Sequence, residues 1–323
     1  MILCIVLWGN MSSTKFDTQL YLSRPYLTRK QVQRAQQNTI GDHRAYNAKR
    51  VAIVKFLSDI CVQLRFPRRT LEAAVYFYLR YHLFNNFETE PCYIIATSCL
   101  VLSCKEVETI KKVNDICTVS LSLRNTGKVS GEVLENFKKR VFVMELKVLE
   151  SCSFDYRIND AVHVDEYIIK FGKTLGLSYE LCHIAWCIAF DVLKTELLLL
   201  VPQHVISLAC IKLASGILDV PVAIEKSIQQ FEMDNPMFSE AYFELLNFYI
   251  NSFDSCDLKN VYQGASLEQF MDLKRKAGQE HGLKEPLEKQ IEMDTYLTTS
   301  RTQPIRERRY VLSQSLVNNE VGK

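Results

Sequence analysis

Apolar residues recur at the spacing of an α-helix along most of the chain as far as Phe253. Between Asp42 and Phe66, for example, Val51 and Val54 belong to a series with a period near 3.6 residues, which places its members on one side of a helix. No stretch shows the strict apolar and polar alternation that a half-buried strand requires. The pattern therefore predicts an all-α protein.

One segment, from Glu88 to Lys105, consists almost entirely of apolar or small residues. Its run of about fifteen such residues is shorter than the roughly 20 that span a bilayer. Pro91 is tolerated in a first helical turn, and the small Ala, Ser and Cys side chains allow close packing on all sides. The segment is predicted to be the buried central helix of a bundle, ending in a charged turn at Lys105.

A similar segment returns in the second half of the chain. When Cys99 is aligned with Cys210, the apolar helix that follows Pro202 matches the first segment, but Gly216 stands at the position of Lys105. Such internal similarity indicates a repeat. We therefore expect two consecutive repeats of five helices, each built around one apolar central helix.

The composition of the chain changes at both ends of this predicted core. A leader with methionines at Met1 and Met11, either of which could start translation, precedes a short helix predicted from Thr28. After Asp254 the apolar density falls, and one amphipathic stretch, Leu267–Lys276, stands out in an otherwise largely irregular tail. The predicted divisions are 1–41 for the leader and N-terminal helix, 42–157 and 158–255 for the two repeats, and 256–323 for the C-terminal extension.

Charge and cysteine content exclude several classes of function. The 323 residues carry a formal net charge of +2, so bulk electrostatics do not favour binding to nucleic acid or to an anionic membrane. The basic cluster at Arg306–Tyr310 is interpreted as a solvated surface. The 11 cysteines fall mostly within apolar helices and form no CxxC pair, which is typical of core residues in a reducing compartment and predicts no structural metal.

Catalytic and cofactor motifs are absent from the sequence. There is no glycine-rich phosphate loop, no GxSxG and no HExxH. His163 lies near Asp155 and Asp165, and this arrangement is interpreted as a helix cap or a surface pair. The chain is therefore not expected to be an enzyme or to hold a cofactor.

The two repeats, with a lysine closing the central helix of the first one only, resemble the cyclin fold. Lys105 follows CLVLSC, and Glu145 stands nine residues before Phe154, as a glutamate and a phenylalanine do in cyclins. The likeness runs from about Tyr26 to Phe253. FLSDICVQLRFPRRTLE and CKEVETIKK are most similar to the fungal cyclins that serve the kinase of the RNA polymerase II carboxy-terminal repeat domain.

This resemblance implies a regulatory subunit that binds and activates a cyclin-dependent kinase. Lys105 and Glu145 would hydrogen-bond the kinase main chain, while Leu149 and Phe154 would supply apolar contacts. Two other interpretations stay open: Lys105 caps its own helix, or Lys105 and Glu145 form an internal ion pair. Since Gly216 replaces the lysine in the second repeat, the interface is the favoured interpretation.

The resemblance also implies a setting for this function. The complex would phosphorylate the RNA polymerase II repeat domain in the nucleus and so regulate transcription elongation, with no contact to membranes and no direct nucleic-acid binding. A third subunit of the complex could bind the amphipathic stretch in the tail. The alternative is a general transcription factor similar to transcription factor IIB, which would bind DNA directly.

Overall fold

The fold is known from a computed structural model, and every regular element in the described part of the chain is a helix. The leader with Met1 and Met11 and the basic cluster at Arg306–Tyr310 lie outside the described residues. No helix within that part combines the length and the apolar character needed to cross a bilayer. The described residues are 26–124, 130–155, 163–231, 233–280 and 282–285.

A short helix precedes a first group of five. The bounds are α1 Arg29–Thr39, α2 His43–Leu64, α3 Arg68–Phe84, α4 Cys92–Glu106, α5 Val113–Arg124 and α6 Gly131–Ser151. Side chains fix several helix starts: the Thr28 hydroxyl accepts a hydrogen bond from the Gln31 amide, and Asp42 and Ser130 cap α2 and α6 in the same way. Each cap satisfies an amide that has no partner within its helix.

Helix α4 lies at the centre of this first group, as the sequence predicts, and its residues from Ile94 to Cys104 are all buried. It begins at Cys92 rather than at Glu88, because Pro91 takes the capping position and its carbonyl accepts the first helical hydrogen bonds. Small side chains let neighbouring helices approach closely on every side.

The second group repeats this arrangement with one insertion. Its helices are α7 Val164–Leu175, α8 Tyr179–Val192, α9 Leu197–Leu200, α10 Gln203–Leu218, α11 Ile224–Gln230 and α12 Asn235–Asn251. The apolar run after Ser178 is broken because the Thr195 hydroxyl bonds the Val192 carbonyl and accepts the Leu197 amide. The short α9 interrupts five longer helices, of which buried α10 is the central one. The predicted division at residues 157 and 158 stays a prediction.

Helix α1 ties the two groups together. The Leu27 amide donates to the Leu199 carbonyl at 2.8 Å, and the Arg29 guanidinium pairs with Glu240 at 2.9 Å and with Glu244 at 3.0 Å, both on α12. These partly buried pairs join the N-terminal helix to the last helix of the second group. The short N-terminal element therefore acts as a strap across the two groups.

The segment after α12 packs on the second group. It contains a 3₁₀ turn, Phe253–Ser255, and two helices, α13 Leu258–Val261 and α14 Leu267–Gln279. The amphipathic stretch expected at Leu267–Lys276 is thus helical, and its apolar residues Phe270 and Leu273 are buried. The sequence placed this stretch in an extension outside the repeats, but its apolar side is covered within the chain.

His163, interpreted from the sequence as a cap or a surface pair, is buried between the two groups. Its Nδ1 lies 3.1 Å from the Glu72 carboxylate, which also faces Arg68 at 3.4 Å. Burial lowers the pKa of His163, but the hydrogen bond and charge of Glu72, with smaller contributions from Asp165 and Glu166, raise that pKa above 6.5 overall. The contact between His163 and Glu72 therefore links α3 to the start of α7.

We predict that this pair makes stability depend on pH. Since the folded pKa of His163 exceeds the unfolded value, its contribution is complete below about pH 6.5 and is lost as the pH rises through the folded pKa. Thermal unfolding between about pH 6 and about pH 8 should show wild type losing its advantage over His163→Gln as the pH rises. Burial lowers the pKa of His82 to about 4, which acts in the opposite sense. The informative quantity is therefore the difference in thermal stability between wild type and His163→Gln. If that difference were constant with pH, the contact with Glu72 would not be raising the pKa of His163.

Candidate binding site

The structure brings Lys105 and Glu145 together. Lys105 is in the last turn of α4 and Glu145 is on α6, and the Lys105 Nζ lies 2.5 Å from the Glu145 Oε1. The side chain of Lys105 is 55% exposed, whereas that of Glu145 is 10% exposed. The internal ion pair left open by the sequence is therefore present, with its ammonium group facing solvent. The pair holds the carboxylate in place and leaves the lysine accessible to a partner.

An apolar surface continues from this pair along α6. Phe142 is 44% exposed and Leu146 is 53% exposed; with half-buried Leu149 they follow spacings of four and three residues, which places them on one side of the helix. Phe142 and Leu146 were not among the binding residues predicted from the sequence. They could have been found because they are apolar yet lie outside the buried series that contains Val141 and Val148.

Phe154 is held at the end of this surface by an unusual backbone. Ser153 and Phe154 both have positive φ, 55° and 62°, a region that non-glycine residues seldom occupy. The chain consequently turns back, and the Phe154 amide donates to the Leu149 carbonyl at 2.8 Å. The Phe154 side chain is 48% exposed. All four residues named from the sequence therefore lie where α4 and α6 end near each other.

The loop after Lys105 adds one exposed apolar residue, Ile110, which was not predicted from the sequence. Glu108 has a φ of 54°, and the Thr109 amide donates to the Cys104 carbonyl at 2.8 Å. The Thr109 hydroxyl is 2.7 Å from that of Thr70 on α3. These bonds hold the loop against the bundle, and Ile110 beside it is almost fully exposed.

The chemistry of this surface is that of binding. Burial raises the pKa of the Cys104 thiol to about 12, so the cysteine beside Lys105 stays protonated and unreactive. The cysteines in the described residues are free, and no group of three or more potential metal ligands occurs there. An exposed apolar surface bordered by one charged pair is typical of a protein interface.

Comparison with known proteins identifies the family. The model of the cyclin N-terminal domain matches residues 23–157. The CTD kinase subunit beta of Saccharomyces cerevisiae is 57% identical over 314 residues, which cover 96% of this chain and 97% of the relative. The chain belongs to the cyclin family.

A second curated relative and a solved structure are also similar to this cyclin. The CTD kinase subunit beta of Schizosaccharomyces pombe is 29% identical over 249 residues, covering 75% of this chain and 72% of the relative. Among solved structures, the crystal structure of the yeast RNA Pol II CTD kinase CTDK-1 complex contains a chain that is 57% identical. That match has a TM-score of 0.83 and covers 92% of this cyclin and 97% of that chain. The expected cyclin fold is confirmed.

We predict that the Lys105–Glu145 pair contributes little to the stability of the free cyclin. Its lysine is more than half exposed, and such pairs couple by about 1 kcal/mol or less. A double-mutant cycle with Lys105→Ala and Glu145→Ala, measured by urea unfolding, should give a coupling in that range. Lys194→Ala is the contrasting control. It leaves Asp191 buried without its charge partner and should cost about 3 kcal/mol. If Lys105→Ala lowered the free energy of unfolding as much as Lys194→Ala does, the exposed pair would be mainly structural.

Proposed function

We propose that this cyclin is the regulatory subunit of a kinase that phosphorylates the carboxy-terminal repeat domain of RNA polymerase II. In this proposal it binds a cyclin-dependent kinase catalytic subunit, activates it in the nucleus and thereby regulates transcription elongation. The observation that carries the proposal is the likeness, across nearly the whole chain, to the yeast CTD kinase subunit beta.

The proposed kinase contact is the surface formed by Lys105, Phe142, Leu146, Leu149 and Phe154. Its apolar part would pack against a kinase helix and exclude water from the contact. Lys105 would donate hydrogen bonds to main-chain carbonyls, since its ammonium has three donors and Glu145 uses only part of them. The Glu145 carboxylate would orient the ammonium and accept a main-chain amide.

Activation would follow from the position of that kinase helix. In protein kinases this helix carries the glutamate that pairs with the ATP-binding lysine, and the pair must form for phosphoryl transfer. A cyclin that binds the inward position of the helix more tightly than the outward one shifts the kinase towards its active state. This chain would contribute binding energy and no catalytic group, so we propose a non-catalytic role for it.

The chemistry of the surface argues against the alternative of a DNA-binding factor. Binding to a phosphate backbone depends on clustered lysine and arginine side chains. The candidate surface instead presents Phe142, Leu146 and Phe154 beside a lysine that already pairs with a carboxylate. An apolar surface of this kind fits the side of a protein helix.

A third subunit stays a prediction, but its suggested attachment needs revision. The amphipathic stretch that motivated it directs Phe270, Leu273 and Ala277 into the second group of helices. Only Leu267 and Met271 remain exposed apolar residues on that helix. A third subunit that uses α14 would therefore contact this narrower outer side.

We predict that exchanging the charges of the pair abolishes kinase binding while preserving the fold. In Lys105→Glu with Glu145→Lys, an ion pair can still form between α4 and α6, but the charges offered to the partner are reversed. Co-purification with the kinase should fall at least about 30-fold, the loss expected at a hot spot of about 2 kcal/mol.

The matched control exchanges an exposed ion pair on α14, away from the proposed kinase contact, in Asp272→Arg with Arg275→Asp. The control should retain the kinase, and circular dichroism should show both proteins folded. If the Lys105 and Glu145 exchange also retained the kinase and its full activity, the interface assignment would be wrong.

We also predict that the apolar part of the surface is required. Phe142→Ser with Leu146→Ser should raise the Kd for the kinase about 30-fold or more, because both side chains would lose burial at the contact. Since both residues are about half exposed in the free chain, the unfolding free energy should change by less than about 1 kcal/mol. Ile169→Ser, an equally exposed residue on α7, is the control. Calorimetric titration with the kinase gives the Kd of wild type, the double variant and the control. Unchanged affinity in the double variant would contradict the prediction.

A further inference from the structure

The second group of helices has its own counterpart of the candidate surface, formed by α10 and α12. Helix α10 corresponds to α4, and Gly216 stands where Lys105 stands in the first group. Helix α12, the last of its group, corresponds to α6. In the first group this surface is open; in the second, α14 covers it.

Gly216 lies where α14 packs closely on α10, against the side chain of Leu273. A Cβ atom at this position would lie 2.7 Å from the Leu273 Cδ2, closer than such atoms approach in real structures. Beside it, the Gln269 Nε2 donates to the Ile217 carbonyl at 2.9 Å. The glycine is inside a helix and needs no special backbone angle, so its lack of a side chain serves packing. The position that carries an exposed lysine in the first group is thus the place where α14 docks in the second.

The other side of α14 packs on α12. The ring of Phe270 stacks on that of Tyr249 with centroids 4.5 Å apart and an interplanar angle of 5°, and both side chains are buried. The Lys274 Nζ donates to the Asn247 Oδ1 at 2.8 Å. Buried aromatic pairs of this kind contribute strongly to an interface.

Charged groups border this contact. The Lys212 Nζ lies 2.7 Å from the Glu280 Oε2, and Lys212 belongs to α10, one turn before Gly216. The contact thus has an apolar centre, made by Phe270 and Leu273, and a charged edge. This is the arrangement by which a groove binds one side of an amphipathic helix.

A buried charge cluster anchors the chain just before α14. The Lys194 Nζ donates to Asp191, to Asp257 and to the Ser255 carbonyl, each at 2.7 Å. Asp191 also accepts the Asp257 and Leu258 amides at 2.8 Å and 3.1 Å. The segment that leads to α14 is therefore fixed to α8, which keeps α14 close to its groove.

We infer that the surface of α10 and α12 is a binding groove for an amphipathic helix and that α14 is its intramolecular occupant. The two groups thus have equivalent surfaces that are used differently. The surface of α4 and α6 is open to an external partner, whereas the surface of α10 and α12 is covered by α14. The 13-residue α14 is marginal as an isolated helix, so its order depends on the groove. An external helix could enter only by displacing α14. The inference does not depend on the identity of the partner of the first group.

The test releases α14 from the full-length chain without altering the groove. In Phe270→Asp with Leu273→Asp, carboxylates replace the two apolar anchors of α14, whereas α10 and α12 keep their sequence. Hydrogen exchange of the amides in residues 267–279 should become at least about tenfold faster, while those of α10 stay protected. Met271→Asp, which alters an exposed residue of the same helix, should leave both unchanged.

A synthetic peptide of residues 264–280 then probes the groove directly. It should bind the double variant saturably in fluorescence anisotropy, and it should not bind wild type or Met271→Asp, in which the groove is filled. Binding to none of the three while α14 is released, or equal binding to all, would overturn the inference. So would retained protection of residues 267–279 in the double variant.

A second variant keeps the inference testable if the double variant does not fold. Gly216→Leu places a side chain where α14 docks and is favourable within helix α10 itself. It should make the α14 amides exchange at least about tenfold faster. Gly278→Leu is its control, because a Cβ at Gly278 meets nothing within 4 Å. Equal protection of α14 in both glycine variants would refute the close approach at Gly216.

Discussion

The fold depends on placing one helix in the middle of each group, surrounded on all sides. Such a helix must be apolar around its whole circumference, and any polar side chain in it must find a partner. In α4 the Ser98 hydroxyl donates to the Ile94 carbonyl of its own helix or to the Val141 carbonyl of α6, both at 2.9 Å. In α10 the Ser207 hydroxyl lies similarly between Gln203 and Val164. Small polar residues thus satisfy their own bonds and let neighbours approach, so the central helices fix the positions of the helices around them.

Where a central helix emerges from the bundle, it is free to differ between the two groups, and this difference separates their roles. The end of α4 carries Lys105, paired with Glu145 and accessible to solvent. The end of α10 carries Gly216, against which α14 packs. The interior of both helices serves the fold, whereas their last turns determine what binds. A similar framework thereby supports an open surface in one group and a closed one in the other.

Much of this architecture could be predicted from the sequence, because it follows from local patterns. The helical period, the repeat of the central helix and the lysine at its end are all visible in one dimension. The exposed positions of Phe142 and Leu146 were missed, although both residues lie outside the helical series that contains Val141 and Val148. The burial of His163 was also missed, because its partner Glu72 belongs to a distant helix. The contact of Leu273 with Gly216 likewise depends on how separate helices pack.

The tendency of an exposed apolar surface to associate explains why only one of the two groups leaves its surface open. An apolar surface left open favours association with whatever helix can cover it. Filling the second surface with α14 removes that tendency at a small entropic cost, because the buried Lys194 cluster already holds the adjacent chain. The first surface cannot be filled in the same way if it is to recruit a partner. Because the first surface is formed by α4 and α6, a partner helix would meet a preformed site. The binding energy of that contact can therefore be used to select one position of the partner helix.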